Sequence, residues 1–364
     1  MKPSEFIRRS SDLETYRPGE PVAVLAGRLG IPKDEILKLN ANENLFLPRS
    51  LIQGTMFEAS SEVDPRLYPE DEEQELIGKL SKVHGIPADN IIISAGGDQL
   101  IDLILSSYLE RGDTVLAVTP TFSMYPRMTK IKGLNFKAFE LEVDFSLDPK
   151  SLLSESRDAE LIIICNPNNP TSNQLPREDV LEVVDGCGKL VLMDEAYSDF
   201  GRYTLVEEAA ARGNLIVLRT FSKAYGFAGL RLGFAVTSAP LAATLRERYM
   251  MPYSVPSIVL RAGAKILDEQ EAIQETISEI KHERRQLIEA LNGIPGVRAF
   301  ESDTNFVLFN TGRPCEEVYA GLLKKGIIVR KIGQVAGHRD CLRVTVTPRE
   351  MAERFLSALR EVLE

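Results

Sequence analysis

Lys223 stands in the run Thr220-Phe221-Ser222-Lys223-Ala224-Tyr225-Gly226, with Arg231 eight positions on. The apolar stretch Leu215-Ile216-Val217-Leu218 leads into it. Small, hydroxylated and glycine neighbours leave room for close approach of a ligand. A primary amine condenses with an aldehyde. The hydroxyls of Thr220 and Ser222 and the guanidinium of Arg231 suit a phosphate. An aldehyde and a phosphate on one small molecule describe pyridoxal 5′-phosphate (PLP). For a lone lysine a solvated place in a polar surface loop is the commoner reading, and three motifs upstream weigh against it here.

One such motif is Ser94-Ala95-Gly96-Gly97-Asp98-Gln99, read as a strand-to-helix turn. Glycines admit a close ligand, and the free amides of a helix start attract phosphate. A plain capped turn is the alternative. A second is Cys165-Asn166-Pro167-Asn168-Asn169-Pro170-Thr171, after an apolar strand. Proline-locked, it can hold an asparagine amide toward a ligand at the carboxyl end of the sheet, although Asn-Pro is also common in ordinary turns. A third, Val191-Leu192-Met193-Asp194-Glu195-Ala196-Tyr197, ends a strand in two carboxylates and a phenol. A buried Asp194 needs a positive partner, which a pyridinium nitrogen would be. Tyr197 can donate to a phenolate oxygen. A structural ion pair is the alternative for Asp194. In Pro120-Thr121-Phe122-Ser123-Met124-Tyr125 the ring of Phe122 can stack on a flat cofactor or fill the core.

These residues need a frame. The runs Asn90–Ser94, Thr114–Val118, Phe136–Leu141, Glu160–Cys165, Lys189–Met193, Leu215–Arg219 and Leu232–Val236 are apolar throughout rather than alternating. Such strands predict a mainly parallel α/β sheet covered on both faces. Asp71–Val83, ahead of the first of them, and Asp98–Glu110, between the first two, carry apolar residues at helical spacing. After Pro252 the pattern changes to two helical stretches, then short strand candidates at Val297–Phe300, Asn305–Phe309, Gly326–Val329 and Cys341–Val346, and a closing helix over Glu350–Leu363. The expectation is a large domain over residues 30–250, and a smaller α+β domain from residues 251–364 with the segment 1–29 against it.

Of the 364 residues, 44% are hydrophobic and 26% charged, ordinary for a globular protein, and that length suggests two cores. The net charge of −10 argues against nucleic-acid or membrane-surface binding. No apolar run approaches a membrane span, and the N-terminus lacks an apolar signal core, so a cytoplasmic protein with reduced thiols is expected. The four cysteines and three histidines are scattered, which predicts no metal site.

The ordered series resembles the fold-type I PLP-dependent aminotransferases, and within them the histidinol-phosphate aminotransferases. Leu39-Asn40-Ala41-Asn42-Glu43-Asn44, Tyr68-Pro69, Gly97-Asp98, Pro120-Thr121-Phe122, Pro167 to Thr171, Asp194 to Tyr197 and Thr220 to Arg231 carry the resemblance. So do Thr304-Asn305-Phe306, Gly326 to Arg330 and Cys341 to Val346. It implies a seven-stranded, mainly parallel sheet between helices. It implies that Lys223 bonds the cofactor aldehyde, Asp194 pairs with its ring nitrogen, Asn169 and Tyr197 bind its ring oxygen, and Phe122 stacks on it. Gly97, Asp98, Thr220, Ser222 and Arg231 would hold its phosphate. Tyr68 would reach the phosphate in the neighbouring subunit of a homodimer. Tyr16, Asn42, Arg330 and Arg343 would meet the substrate. The implied reaction moves the amino group of L-histidinol phosphate to 2-oxoglutarate, giving imidazole-acetol phosphate and glutamate, a step of histidine biosynthesis. An aromatic amino-acid aminotransferase and a threonine-phosphate-type PLP decarboxylase are the rival implications. The chain departs from the usual pattern at Leu45-Phe46-Leu47, Ser172, Lys331 and Thr347, where the family has Pro-Tyr-Gly or similar, Gly, an acid and Gly.

Overall fold

The computed structural model describes residues 2–11, 13 and 19–364. Tyr16 lies outside the described residues. After a short strand, β1 (Leu37–Lys38), seven strands form one sheet. They are β2 (Ile91–Ser94), β3 (Thr114–Thr119), β4 (Asn135–Glu140), β5 (Leu161–Cys165), β6 (Leu190–Asp194), β7 (Leu215–Thr220) and β8 (Gly233–Val236). Their order is β2-β8-β7-β6-β5-β3-β4. All neighbours from β7 to β4 pair in parallel, and β8 runs antiparallel to both β2 and β7.

The apolar runs explain why the sheet is buried on both faces. Side chains alternate across a strand. Ile162 and Ile164 enter one core together with Val191 and Met193. Leu161 and Ile163 enter a second core with Leu190 and Leu192. A strand that must satisfy two cores has no position for a polar residue until it ends. Polar groups therefore gather at the carboxyl ends, at Thr119, Asp194, Arg219 and Thr220.

The second sheet, with order β12-β13-β10-β9, is built from β9 (Arg298–Ala299), β10 (Phe306–Asn310), β12 (Arg330–Val335) and β13 (His338–Thr345). Between them in the chain, β11 (Ile327–Ile328) pairs in parallel with β1 instead. Sequence reading missed β12. Its exposed, charged start and Gly333 read as a loop, and the ladder to β13 shifts register on either side of that glycine. It also missed β1, two residues long and stable only through its distant partner.

The helix Gln270–Asn292 spans both parts. Its buried face repeats Ile273, Ile277, Ile280, Arg284, Leu287 and Leu291 at helical spacing. Arg284 Nη1 donates to the carbonyls of Phe200 (3.2 Å) and Thr304 (2.8 Å), so a buried cation bolts the loop after β6 to the start of β10.

Candidate active site

The carboxyl ends of β3, β5, β6 and β7 open into a cavity of about 850 Å³. Phe122, Asn169, Tyr197, Lys223 and Arg343 line it, together with Arg330. Asn42 lines it as well. Residues scattered over three hundred positions of chain thus meet at one place.

Lys223 follows β7, and its Nζ donates to the Ala41 carbonyl at 3.1 Å. The amine lies 5.5 Å from the centroid of the Tyr197 ring. Burial, aided by the positive charges of Arg343 and Arg231, lowers its pKa to about 8. Glu43 and Asp194 oppose that shift. An amine so poised is neutral in a useful fraction near neutral pH, as a base or nucleophile requires.

Asp194 ends β6 and is buried. Its Oδ2 accepts from Tyr125 Oη at 2.6 Å, and its Oδ1 accepts from the Ala196 N–H at 3.0 Å. Burial pushes its pKa up, and the two hydrogen bonds pull the other way. It makes no ion pair within the described residues, so the structural ion pair considered for it is not formed there. Glu195, next along, points away from the cavity. It accepts from the Leu205 N–H at 2.7 Å and faces Arg219 at 3.7 Å, and burial lifts its pKa to about 7. The doublet of acids therefore divides into one carboxylate with no charged partner among the described residues and one paired with Arg219.

Tyr197 and Asn42 meet at the cavity wall, where Asn42 Nδ2 donates to Tyr197 Oη at 3.0 Å. Burial raises the Tyr197 phenol to about 12, which keeps it protonated. Asn42 adopts a left-handed backbone (φ 55°), and its buried Oδ1 has no protein partner. Opposite, Arg343 rises from β13. Its Nη1 donates to Asn169 Oδ1 (2.5 Å) and its Nη2 to the Asn40 carbonyl (2.9 Å). Burial lowers its pKa to about 10, so it remains a cation. Its buried Nε lacks a partner.

At the far side, Gly96 (φ 85°) turns the chain into the helix Gly97–Ser107, which no side chain caps. Arg231, itself left-handed at φ 54°, lies over this turn. A Cβ on Gly96 would stand 2.9 Å from Arg231 Nη2, so glycine is what lets the guanidinium approach. Arg231 Nη2 donates to Asp98 Oδ2 at 3.1 Å, and its Nη1 reaches Ser222 Oγ at 3.4 Å. The Ser222 N–H donates to Thr220 Oγ1 at 3.1 Å. Gly97, Asp98, Thr220, Ser222 and Arg231 are thus one cluster of amides, hydroxyls, a carboxylate and a guanidinium. Tyr68 is elsewhere: it is 73% exposed and stacks on Tyr253, with ring centroids 4.5 Å apart.

Residues 34–359 match the aminotransferase class I and II family. The chain belongs to that family. This aminotransferase is 36% identical to a histidinol-phosphate aminotransferase of Thermoanaerobacter sp. (strain X514), over 90% of this chain and 93% of that protein. It is 33% identical to the same-named protein of Roseiflexus castenholzii, over 96% of each. Among solved structures, the histidinol-phosphate aminotransferase of Sinorhizobium meliloti in complex with PLP superposes with a TM-score of 0.86, at 25% identity and 95% coverage of both chains. A fold-type I sheet is thereby common to both.

Sequence reading missed Tyr125 as the partner of Asp194, although it stood in the string that held Phe122. Its value comes from a hydrogen bond across 69 positions, which no local pattern carries. Ser172 was a departure from the family's glycine, and the structure explains how it is tolerated. It holds the left-handed conformation (φ 68°) that glycine favours, and its Oγ donates to the Glu301 carbonyl at 3.0 Å. Lys331 pairs with Glu316 and lies over the Tyr319 ring at 5.0 Å.

Proposed function

We propose that this aminotransferase uses PLP to move the amino group of L-histidinol phosphate to 2-oxoglutarate, yielding imidazole-acetol phosphate and glutamate. The observation that carries the substrate reading is the charge of the cavity. In a chain of net charge −10, Arg28, Lys38, Arg330, Lys331 and Arg343 line it beside Lys223. Arg28, Lys38 and Lys331 already have carboxylate partners in Glu20, Glu43 and Glu316. Arg330 and Arg343 have none among the described residues. They are left for a ligand that is itself anionic at one or both ends. Planar guanidinium forks accept a phosphate or a carboxylate alike, so one pocket serves both substrates. The names of the Thermoanaerobacter and Sinorhizobium proteins support the same reading.

The residues present fit PLP. Asp194 is a buried carboxylate lacking a cation, as a ring nitrogen would supply. The glycine cradle under Arg231 and the uncapped helix start suit a phosphate. When bound, PLP supplies an aldehyde to carry the amino group and a ring to accept the electron pair released at the substrate carbon.

The chain does the rest. Lys223 Nζ takes the proton from the substrate carbon that bears nitrogen and returns one on the far side of the reaction. Asp194 holds negative charge at the ring nitrogen. Tyr197 Oη and Asn169 hold the ring oxygen, and Phe122 covers the ring. Arg231, Ser222, Thr220 and the Gly97 and Asp98 amides fix the phosphate. Arg343 and Arg330 grip the anionic ends of the substrate, with Asn42 beside them. Tyr16 is kept as a substrate contact on the resemblance alone. Tyr68, exposed and held flat by Tyr253, fits a homodimer in which it reaches the neighbouring phosphate. A cytoplasmic setting accords with four free thiols.

The test is an assay of histidinol phosphate, phenylalanine and threonine phosphate, each with 2-oxoglutarate. Glutamate should form fastest with histidinol phosphate. Preference for phenylalanine, or carbon dioxide released from threonine phosphate, would overturn the substrate.

A further inference from the structure

We infer that Tyr125 is a positioning residue for Asp194, whose phenol keeps that carboxylate ionised and aimed at the cofactor ring nitrogen. The inference rests on the PLP reading of the site. Tyr125 is fully buried at the start of the helix Met124–Lys132 and does not line the cavity. Its Oη donates to Asp194 Oδ2 at 2.6 Å, from behind the carboxylate. The Ala196 N–H serves the other oxygen at 3.0 Å. Each oxygen thus has one donor from the chain and a lone pair left over.

The physical need is specific. A carboxylate this deeply buried tends to pick up a proton and lose its charge. A neutral acid would leave the ring nitrogen without an anion, and the ring would accept electrons less well. Donors that favour the charged form counter that tendency. Burial beside Asp194 also pushes the Tyr125 phenol well up, so the proton stays on Oη. Full burial restrains the ring, and Phe122 meets it edge-on, centroids 5.7 Å apart and planes at 87°. Thr129 Oγ1 also donates to the Tyr125 carbonyl at 2.8 Å. One corner after β3 therefore delivers both Phe122 to the cavity and Tyr125 to the back of Asp194.

Tyr125→Phe removes the hydroxyl and keeps the packing. With PLP labelled by ¹⁵N in the ring, the bound nitrogen signal should move toward that of neutral pyridine. The dissociation constant for PLP should rise about tenfold, the size of one lost hydrogen bond to a charge. The turnover number should fall while KM for histidinol phosphate stays put, since Tyr125 is not part of the cavity lining that holds Arg343 and Arg330. An unmoved ¹⁵N signal with an unchanged dissociation constant overturns the inference. Should Tyr125→Phe fold poorly, 3-fluorotyrosine at position 125, a stronger donor, should shift the nitrogen signal the opposite way, and no shift overturns the inference equally. Failure of the unaltered protein to bind PLP at all would instead sink the cofactor reading.

Discussion

Arg343 Nη1 donates to Asn169 Oδ1 at 2.5 Å, joining residues 174 positions apart. The bond ties β13 of the small sheet to the turn that follows β5 of the large one. It also orients the Asn169 amide, since an oxygen engaged by arginine leaves the nitrogen facing the cavity. A ligand anion on Arg343 and a ring oxygen on Asn169 would thus be sensed through one contact.

Replacing Arg343 by lysine should break that coupling. A lysine keeps the charge and loses the planar fork. KM for histidinol phosphate and for 2-oxoglutarate should rise by about tenfold or more, with a smaller effect on turnover. Steady-state kinetics with both substrates test this, and unchanged KM values would remove Arg343 from the site.

Lys223→Ala should lower turnover by roughly 10⁴-fold, the loss expected for a proton-transferring group. PLP should still be held noncovalently by the Arg231 cluster. Borohydride should then fail to fix the cofactor to the protein, whereas it does so with the unaltered chain. Residual turnover near the original level would place the reactive amine elsewhere.

Burial of Lys223 should also cost stability before cofactor binds. Its folded pKa of about 8 lies below the ordinary lysine value of 10.5, so the unfolded chain binds the extra proton between those values. The penalty is fully present below pH 8 and fades as pH rises toward 10.5. Lys223→Met, free of cofactor, should be about 1–3 kcal/mol more stable than the unaltered chain at pH 7, allowing for partial solvent access. The gap should close above pH 10.5. Urea unfolding at several pH values measures it, and a gap independent of pH would refute the cause.

Ser172 separates two effects at one position. Ser172→Ala keeps a side chain at φ 68° and loses the bond to the Glu301 carbonyl. It should cost about 1–2 kcal/mol. Ser172→Gly loses the same bond and relieves left-handed strain of about 1–2 kcal/mol, so it should be close to neutral. Denaturant midpoints compare the two, and equal losses would show that the backbone there is unstrained.

Tyr68→Ala should weaken PLP binding by about tenfold, as loss of one charge-assisted hydrogen bond would. Sedimentation should show a dimer of the unaltered chain. A monomer with full PLP affinity would separate Tyr68 from the site.

The positions and type of the large-sheet strands were legible in the chain because a sheet buried on both faces demands unbroken apolar runs, and those runs are local. The residues around Lys223, Asp194 and Asn169 were legible for a related reason: a strand that serves two cores shows its chemistry only where it ends. What local pattern could not carry was partnership. Nothing near Glu195 marks it as a partner of Arg219 rather than of a ligand, and nothing near Tyr125 marks it as the donor behind Asp194. The parallel pairing of Leu37–Lys38 with Ile327–Ile328, and the grip of Arg343 on Asn169, likewise arise only when distant segments meet. Side-chain type and spacing selected the family and most of the candidate site, because backbone propensity and apolar burial act over a few residues. Which polar groups satisfy one another was decided by the tertiary structure, because a hydrogen bond depends on distance in space and is blind to distance along the chain.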